Sequence, residues 1–70
     1  MKVKNDIIKK IRENQTLKRE LLYQMEWSET TLYRHLRENA VNGDLTKMSV
    51  LNIIASELAV NIGDITENTD

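Results

Sequence analysis

Only three residues, Glu26, Trp27 and Ser28, separate two stretches of helical periodicity. That spacing constrains the fold of this chain more than any other feature. Upstream, Leu17, Leu21, Leu22 and Met25 recur at i, i+4, i+5 and i+8, which predicts one apolar face of a helix over about residues 17–25. Downstream, Ser28 is a favoured N-cap, because its hydroxyl can accept from a free N–H two or three residues on. Leu32, His35, Leu36 and, at the far end, Ala40 then mark the inner side of a helix over about 29–39. Two helices joined so tightly must cross steeply, which is the helix-turn-helix geometry.

The rest of the chain supplies elements to pack around that pair. Ile7, Ile8 and Ile11 predict a first helix over about 4–13, and Asn14 or Thr16 can cap the next. Asn42-Gly43 is a turn signal in the longest polar stretch. Thr46 is expected to cap a fourth helix over about 47–58, with Val50, Leu51, Ile54, Ala55 and Leu58 on its apolar positions. Asn61 is expected to cap a last short helix over about 62–67, with Asp64 in the place of a capping-box acid. Ile62 and Ile65 would pack back on the core, and residues 67–70 are expected to fray. The prediction is an all-α bundle of four to five short helices, one domain over 1–70 with an ordered core of about 5–67.

A chain of 70 residues buries a smaller share of its surface than a larger domain. It has no cysteine and one histidine, so neither a disulfide nor a metal is expected to staple it, and no cofactor is implied. That composition fits a reducing cytoplasm. No segment has the apolar run of a signal peptide or a membrane span. No Cys or His pair and no glycine-rich phosphate loop points to catalysis. The net charge is −1, but it is unevenly placed. Residues 1–37 hold nine basic and five acidic side chains, and residues 38–70 hold one basic and six acidic. The basic half is where a polyanion would sit.

These pieces resemble a known family. Leu21–Met25, "MEWS" and "ETTLYRHL" look like the positioning helix, turn and recognition helix of the lambda-repressor-like (Cro/C1, XRE) domain of phage and plasmid regulators. "MSVLNIIASELAVNIGDITE" looks like its closing pair of helices, so the resemblance covers about residues 6–67. The family usually carries glycine where Glu26 and Ala59 stand. Glu26 must then either adopt a left-handed backbone or tilt the turn.

The resemblance implies sequence-specific binding of double-stranded DNA by a transcriptional regulator, with helix 29–39 in the major groove. Leu32 and Leu36 face inward, so Glu29, Thr30, Tyr33 and Arg34 are the candidate base contacts. Arg34 suits guanine O6 and N7, Glu29 suits cytosine N4, and Thr30 a base or a thymine methyl. Lys18 and Arg19 at the start of the positioning helix, with Ser28 and Arg37, are the candidate backbone contacts. Glu29 also suits the helix dipole without any DNA role. Trp27 is expected in the core, His35 in packing, and Met25 and Met48 as gap-fillers. A homodimer through the closing helices is expected, with Val50, Ile53 and Ile62 as candidates for its surface. The alternative is a protein-interaction module that keeps the fold without binding DNA, favoured by the acidic second half and by Glu29. A winged helix with Asn42-Gly43 as hairpin tip is a weaker third reading.

Overall fold

In a computed structural model, described over residues 1–68, the periodic stretches become four α-helices: α1 (Asn5–Glu13), α2 (Gln15–Met25), α3 (Glu29–Glu38) and α4 (Met48–Leu58). Each presents the aliphatic face that its spacing defines. Ile7, Ile8 and Ile11 from α1 meet Leu17 and Leu21 from α2, Leu32 and Leu36 from α3, and Val50, Leu51, Ile53 and Ile54 from α4 in one buried cluster. α2 lies centrally, packed against α1, α3 and α4.

Asn14 settles the start of α2 two residues earlier than periodicity places it. Its Oδ1 accepts from the Leu17 N–H at 3.0 Å, filling one of the donors that a helix start leaves free.

The second half of the chain departs from expectation in three ways. Thr46 does not cap α4. It belongs to a single 3-10 turn, Asp44–Thr46, where its hydroxyl donates to the Gly43 carbonyl, and Lys47 precedes α4 with no side-chain cap. The last helix shrinks to another 3-10 turn, Ile62–Asp64, and Asn61 makes no side-chain cap. The chain then extends as β2 (Thr66–Glu67), antiparallel to β1 (Lys2–Val3), so Glu67 is paired and not frayed. Residues 69 and 70 lie outside the described residues. The winged reading fails on the same ground: the pairing joins the two ends of the chain, and Asn42-Gly43 is no hairpin tip.

The strand pair brings Val3 into the core at 0% exposure and adds Ile65 beside it. Lys4 N–H donates to the Ile65 carbonyl at 2.9 Å. In an antiparallel pair hydrogen-bonded positions alternate, so Val3, next to Lys4, turns its own N–H and C=O away from β2. Asn39 meets both. Its Nδ2 donates to Val3 O at 2.7 Å, and its Oδ1 accepts from Val3 N–H at 3.3 Å. One side-chain amide thus stands in for a third strand.

Helices α2, α3 and α4 all end on a residue with left-handed backbone: Glu26 (φ 56°), Asn39 (φ 41°) and Ala59 (φ 54°). After α2 and α4 the next N–H reaches back five residues, Trp27 to Leu22 O and Val60 to Ala55 O, as in a Schellman motif. Asn tolerates this conformation, whereas Glu and Ala pay roughly 1–2 kcal/mol for it. Glycine there removes that strain but gives the unfolded chain about 0.4–1 kcal/mol more entropy to lose. Glu26 also sets a negative charge against the negative end of the α2 dipole. Glu26→Gly is therefore expected to stabilise by about 1 kcal/mol and Ala59→Gly by about 0.5 kcal/mol, read from urea midpoints at unchanged slope. A loss of stability in both would refute the strain argument.

Candidate nucleic-acid interface

The turn between α2 and α3 is the three-residue link that the spacing demands. The left-handed Glu26 ends α2, Trp27 drops half-buried against the core, and Ser28 starts α3. The Ser28 hydroxyl is engaged twice. Its oxygen accepts from the Thr31 N–H at 3.1 Å, and its hydrogen goes to Thr31 Oγ1 at 3.0 Å. The two hydroxyls share one hydrogen, which leaves the other free to donate to a phosphate oxygen. Thr31, which sequence reasoning passed over, thus joins Ser28 in a hydroxyl pair beside the turn.

With Leu32 and Leu36 buried, α3 turns Glu29, Thr30, Tyr33, Arg34 and Arg37 outward, and all five are exposed. They form one face of a ten-residue helix, about 15 Å long, of a width that a major groove admits. Arg19 is exposed on the neighbouring α2, but as its fifth residue, because α2 starts at Gln15, and not at the helix start where the sequence placed it. Glu26 and Glu29 set two carboxylates where the turn meets this face.

Lys18 lies elsewhere than a phosphate clamp would. It is 8% exposed, folded under α3, and its ammonium donates to the Tyr33 hydroxyl at 3.3 Å. Between the two helices lies a slot of about 180 Å³, lined by Lys18, Arg19, Glu29 and Tyr33 among others.

A larger open cleft, about 570 Å³, follows the C-terminal end of α3. Arg34, His35, Glu38, Asp44 and Lys47 border it. Asp44 is held by Lys47 at 3.0 Å and by His35 Nε2 at 3.3 Å. The hydrogen bond and charge of Lys47 draw its pKa below the usual aspartate value, with smaller contributions from His35 and Arg34. His35 also packs on Trp27, ring centroids 4.7 Å apart and tilted 52°, so it ties the turn, α3 and the following loop together. Spacing gave its packing role but not its carboxylate partner, which comes from nine residues further on.

Gly43 shows the cost of reading glycine only as a turn residue. The left-handed residue of Asn42-Gly43 is Asn42, at φ 55°. Gly43 is needed for room instead, since a Cβ there would sit 2.9 Å from Ala40 Cβ and 3.0 Å from its carbonyl oxygen.

Three further residues are placed otherwise than expected. Met48 is 61% exposed, so it fills no gap, while Met25 does pack against the core. Val50 and Ile53, candidates for a dimer surface, are buried within the protomer at 0% and 9% exposure. The α4 pattern simply has a wider apolar face than its spacing implied. Ile62 is half-buried against the same cluster.

Among the described residues no group of three or more His, Cys, Asp or Glu side chains converges as a metal site, and no helix is long and apolar enough to cross a membrane. No family model, curated protein or solved structure matches this chain.

Proposed function

We propose that this chain is a sequence-specific double-stranded DNA-binding protein of the small regulator type, related in fold to the lambda-repressor-like domains it resembles, with α3 as its reading helix. The observation that carries the reading is the outward face of α3. Thr30, Tyr33 and Arg34 stand together on it, joined by Arg37, and all four are exposed. Those side chains offer the hydroxyl and guanidinium groups that read base edges in the major groove. Arg37, near the end of the helix, and Arg19, in the second turn of α2, suit phosphates on either side. The Ser28–Thr31 hydroxyl pair supplies one further donor near the turn.

One helix of this length makes few base contacts. Two copies on half-sites about one helical turn apart would double them. With Val50 and Ile53 committed to the core, a homodimer would have to use other residues of the closing region.

The test is anisotropy of labelled mixed-sequence duplexes at low and high salt. Neutralising several phosphates releases counterions, so binding is expected at micromolar protein in low salt and should weaken steeply as salt rises. Selected sites are expected to be inverted repeats. Absence of salt-sensitive binding would sink the proposal and leave the protein-interaction module, to which the acidic second half of the chain is suited.

A further inference from the structure

Lys18 is the single charged residue buried among the described residues, and α3 lies over it. Burying an ammonium is costly unless it is paired. The partner here is not a carboxylate but the Tyr33 hydroxyl, at 3.3 Å. The ammonium is 5.6 Å from the centre of the Tyr33 ring. Being so much closer to the oxygen than to the ring centre, it sits off the hydroxyl end and not above the π face. It therefore meets a lone pair of the phenol oxygen.

An ammonium only donates, whereas a free tyrosine hydroxyl either donates or accepts. A tyrosine with both options cannot tell an amino group from a carbonyl. With its acceptor direction filled from behind by Lys18, Tyr33 has only its hydrogen left to offer. Tyr33 itself is 39% exposed on the outward face of α3, so that hydrogen is available to a ligand. The positive charge behind the oxygen also polarises the O–H bond and strengthens the donation.

We infer that Lys18 is a positioning residue that fixes Tyr33 as a hydrogen-bond donor on the reading face, so that Tyr33 selects acceptor atoms on a base edge and rejects amino groups. This rests on the reading of α3 as the DNA-facing helix. In the major groove the acceptors are guanine O6 and N7, adenine N7 and thymine O4, and the rejected donors are cytosine N4 and adenine N6. Lys18 thus contributes to specificity without touching DNA.

The experiment is selection from a pool of randomised duplexes, followed by affinity measurement, with the wild type, Lys18→Met, Lys18→Arg, Tyr33→Phe and the Lys18→Met/Tyr33→Phe double variant. Methionine keeps most of the buried stem and removes the donor. Tyr33→Phe, losing one well-aimed hydrogen bond, is expected to bind about tenfold more weakly and to lose its preference at one base pair. Lys18→Met is expected to admit an amino edge at that same base pair, because the phenol is free to accept again. Lys18→Arg, still a pure donor, should keep the wild-type preference. The double variant should behave as Tyr33→Phe does, within about twofold, because Lys18 acts only through that hydroxyl.

A Lys18→Met protein with unchanged base preference overturns the inference, even if its affinity falls. So does a Lys18→Met effect that persists in full beside Tyr33→Phe. If Lys18→Met does not fold, Lys18→Leu takes its place with the same expectation, and wild-type preference in that variant or in Tyr33→Phe overturns the inference. A wild-type protein that enriches no sequence removes the DNA reading and this inference with it. A wild type that enriches sites while Tyr33→Phe enriches the same ones removes this inference only.

Discussion

Asn39→Ala is expected to lower stability by about 2–4 kcal/mol, which for a domain of this size is a fall in melting temperature of roughly 10–20 °C. Three losses combine. Val3 N–H and C=O lose both partners at a residue with 0% exposure, and a buried unsatisfied group costs about 1–3 kcal/mol. Alanine also tolerates the φ of 41° at this helix end less well than asparagine. Water reaching the vacated space recovers part of the first two terms, which keeps the estimate below their full sum. Two further variants separate the causes. Asn39→Gly removes the backbone strain but not the lost bonds, so it should remain clearly less stable than wild type. Asn39→Asp keeps the acceptor for Val3 N–H and turns a carboxylate oxygen on Val3 O, so it should be at least as damaging as alanine near neutral pH. Thermal unfolding by circular dichroism measures all three. An Asn39→Ala protein within about 0.5 kcal/mol of wild type would mean that β1 is not held by this side chain.

Asn39 also shows where a single sequence stops being informative. The helices were legible because each carries its own apolar period: Ile7, Ile8 and Ile11, or Leu32 and Leu36, name their faces without reference to the rest of the chain. Local caps were legible only in part: Ser28 caps as expected and Asn14 is the one of two candidates that does, whereas Thr46 and Asn61 cap nothing. The β1–β2 pair was not. Two residues have no period, and Val3 is buried only because Ile65, Asn39 and β2 arrive from far along the sequence. Ile62 and Ile65 satisfy a helical spacing, which predicts a last helix there, yet one turn of 3-10 helix satisfies it equally well.

Within the candidate site the same division holds. Which α3 residues face outward followed from two leucines. That Lys18 turns inward to Tyr33 did not, since its position at the start of α2 suits a phosphate clamp equally well. The long stem of a lysine can follow either surface. The left-handed backbone at Glu26 is intermediate: comparison with the family's glycine raised it as one of two outcomes, and the structure adopts that one.

The double variant Arg34→Ala/Arg37→Ala is the sharpest probe of the proposed reading face, and is expected to weaken duplex binding about hundredfold. Both side chains are exposed, and neither is paired with a carboxylate in an ion pair among the described residues, so stability should change little. The loss should divide by position on the helix. Arg34, at the sixth residue of α3, is near enough to its start for a bidentate contact with guanine, worth roughly 1–3 kcal/mol. Arg34→Ala should therefore relax preference at one base pair and leave the salt dependence nearly unchanged. Arg37, in the last turn, would on the proposed reading meet phosphate instead. Arg37→Ala should weaken all sequences alike and reduce the slope of log affinity against log salt by about 1. Lys9 and Lys10 provide the control. They are exposed on α1, which packs on α2 and not closely on α3, and Lys9→Ala/Lys10→Ala should bind within about twofold of wild type. If those lysines cost more than the two arginines, the protein holds DNA by another face, and α3 is not its reading helix.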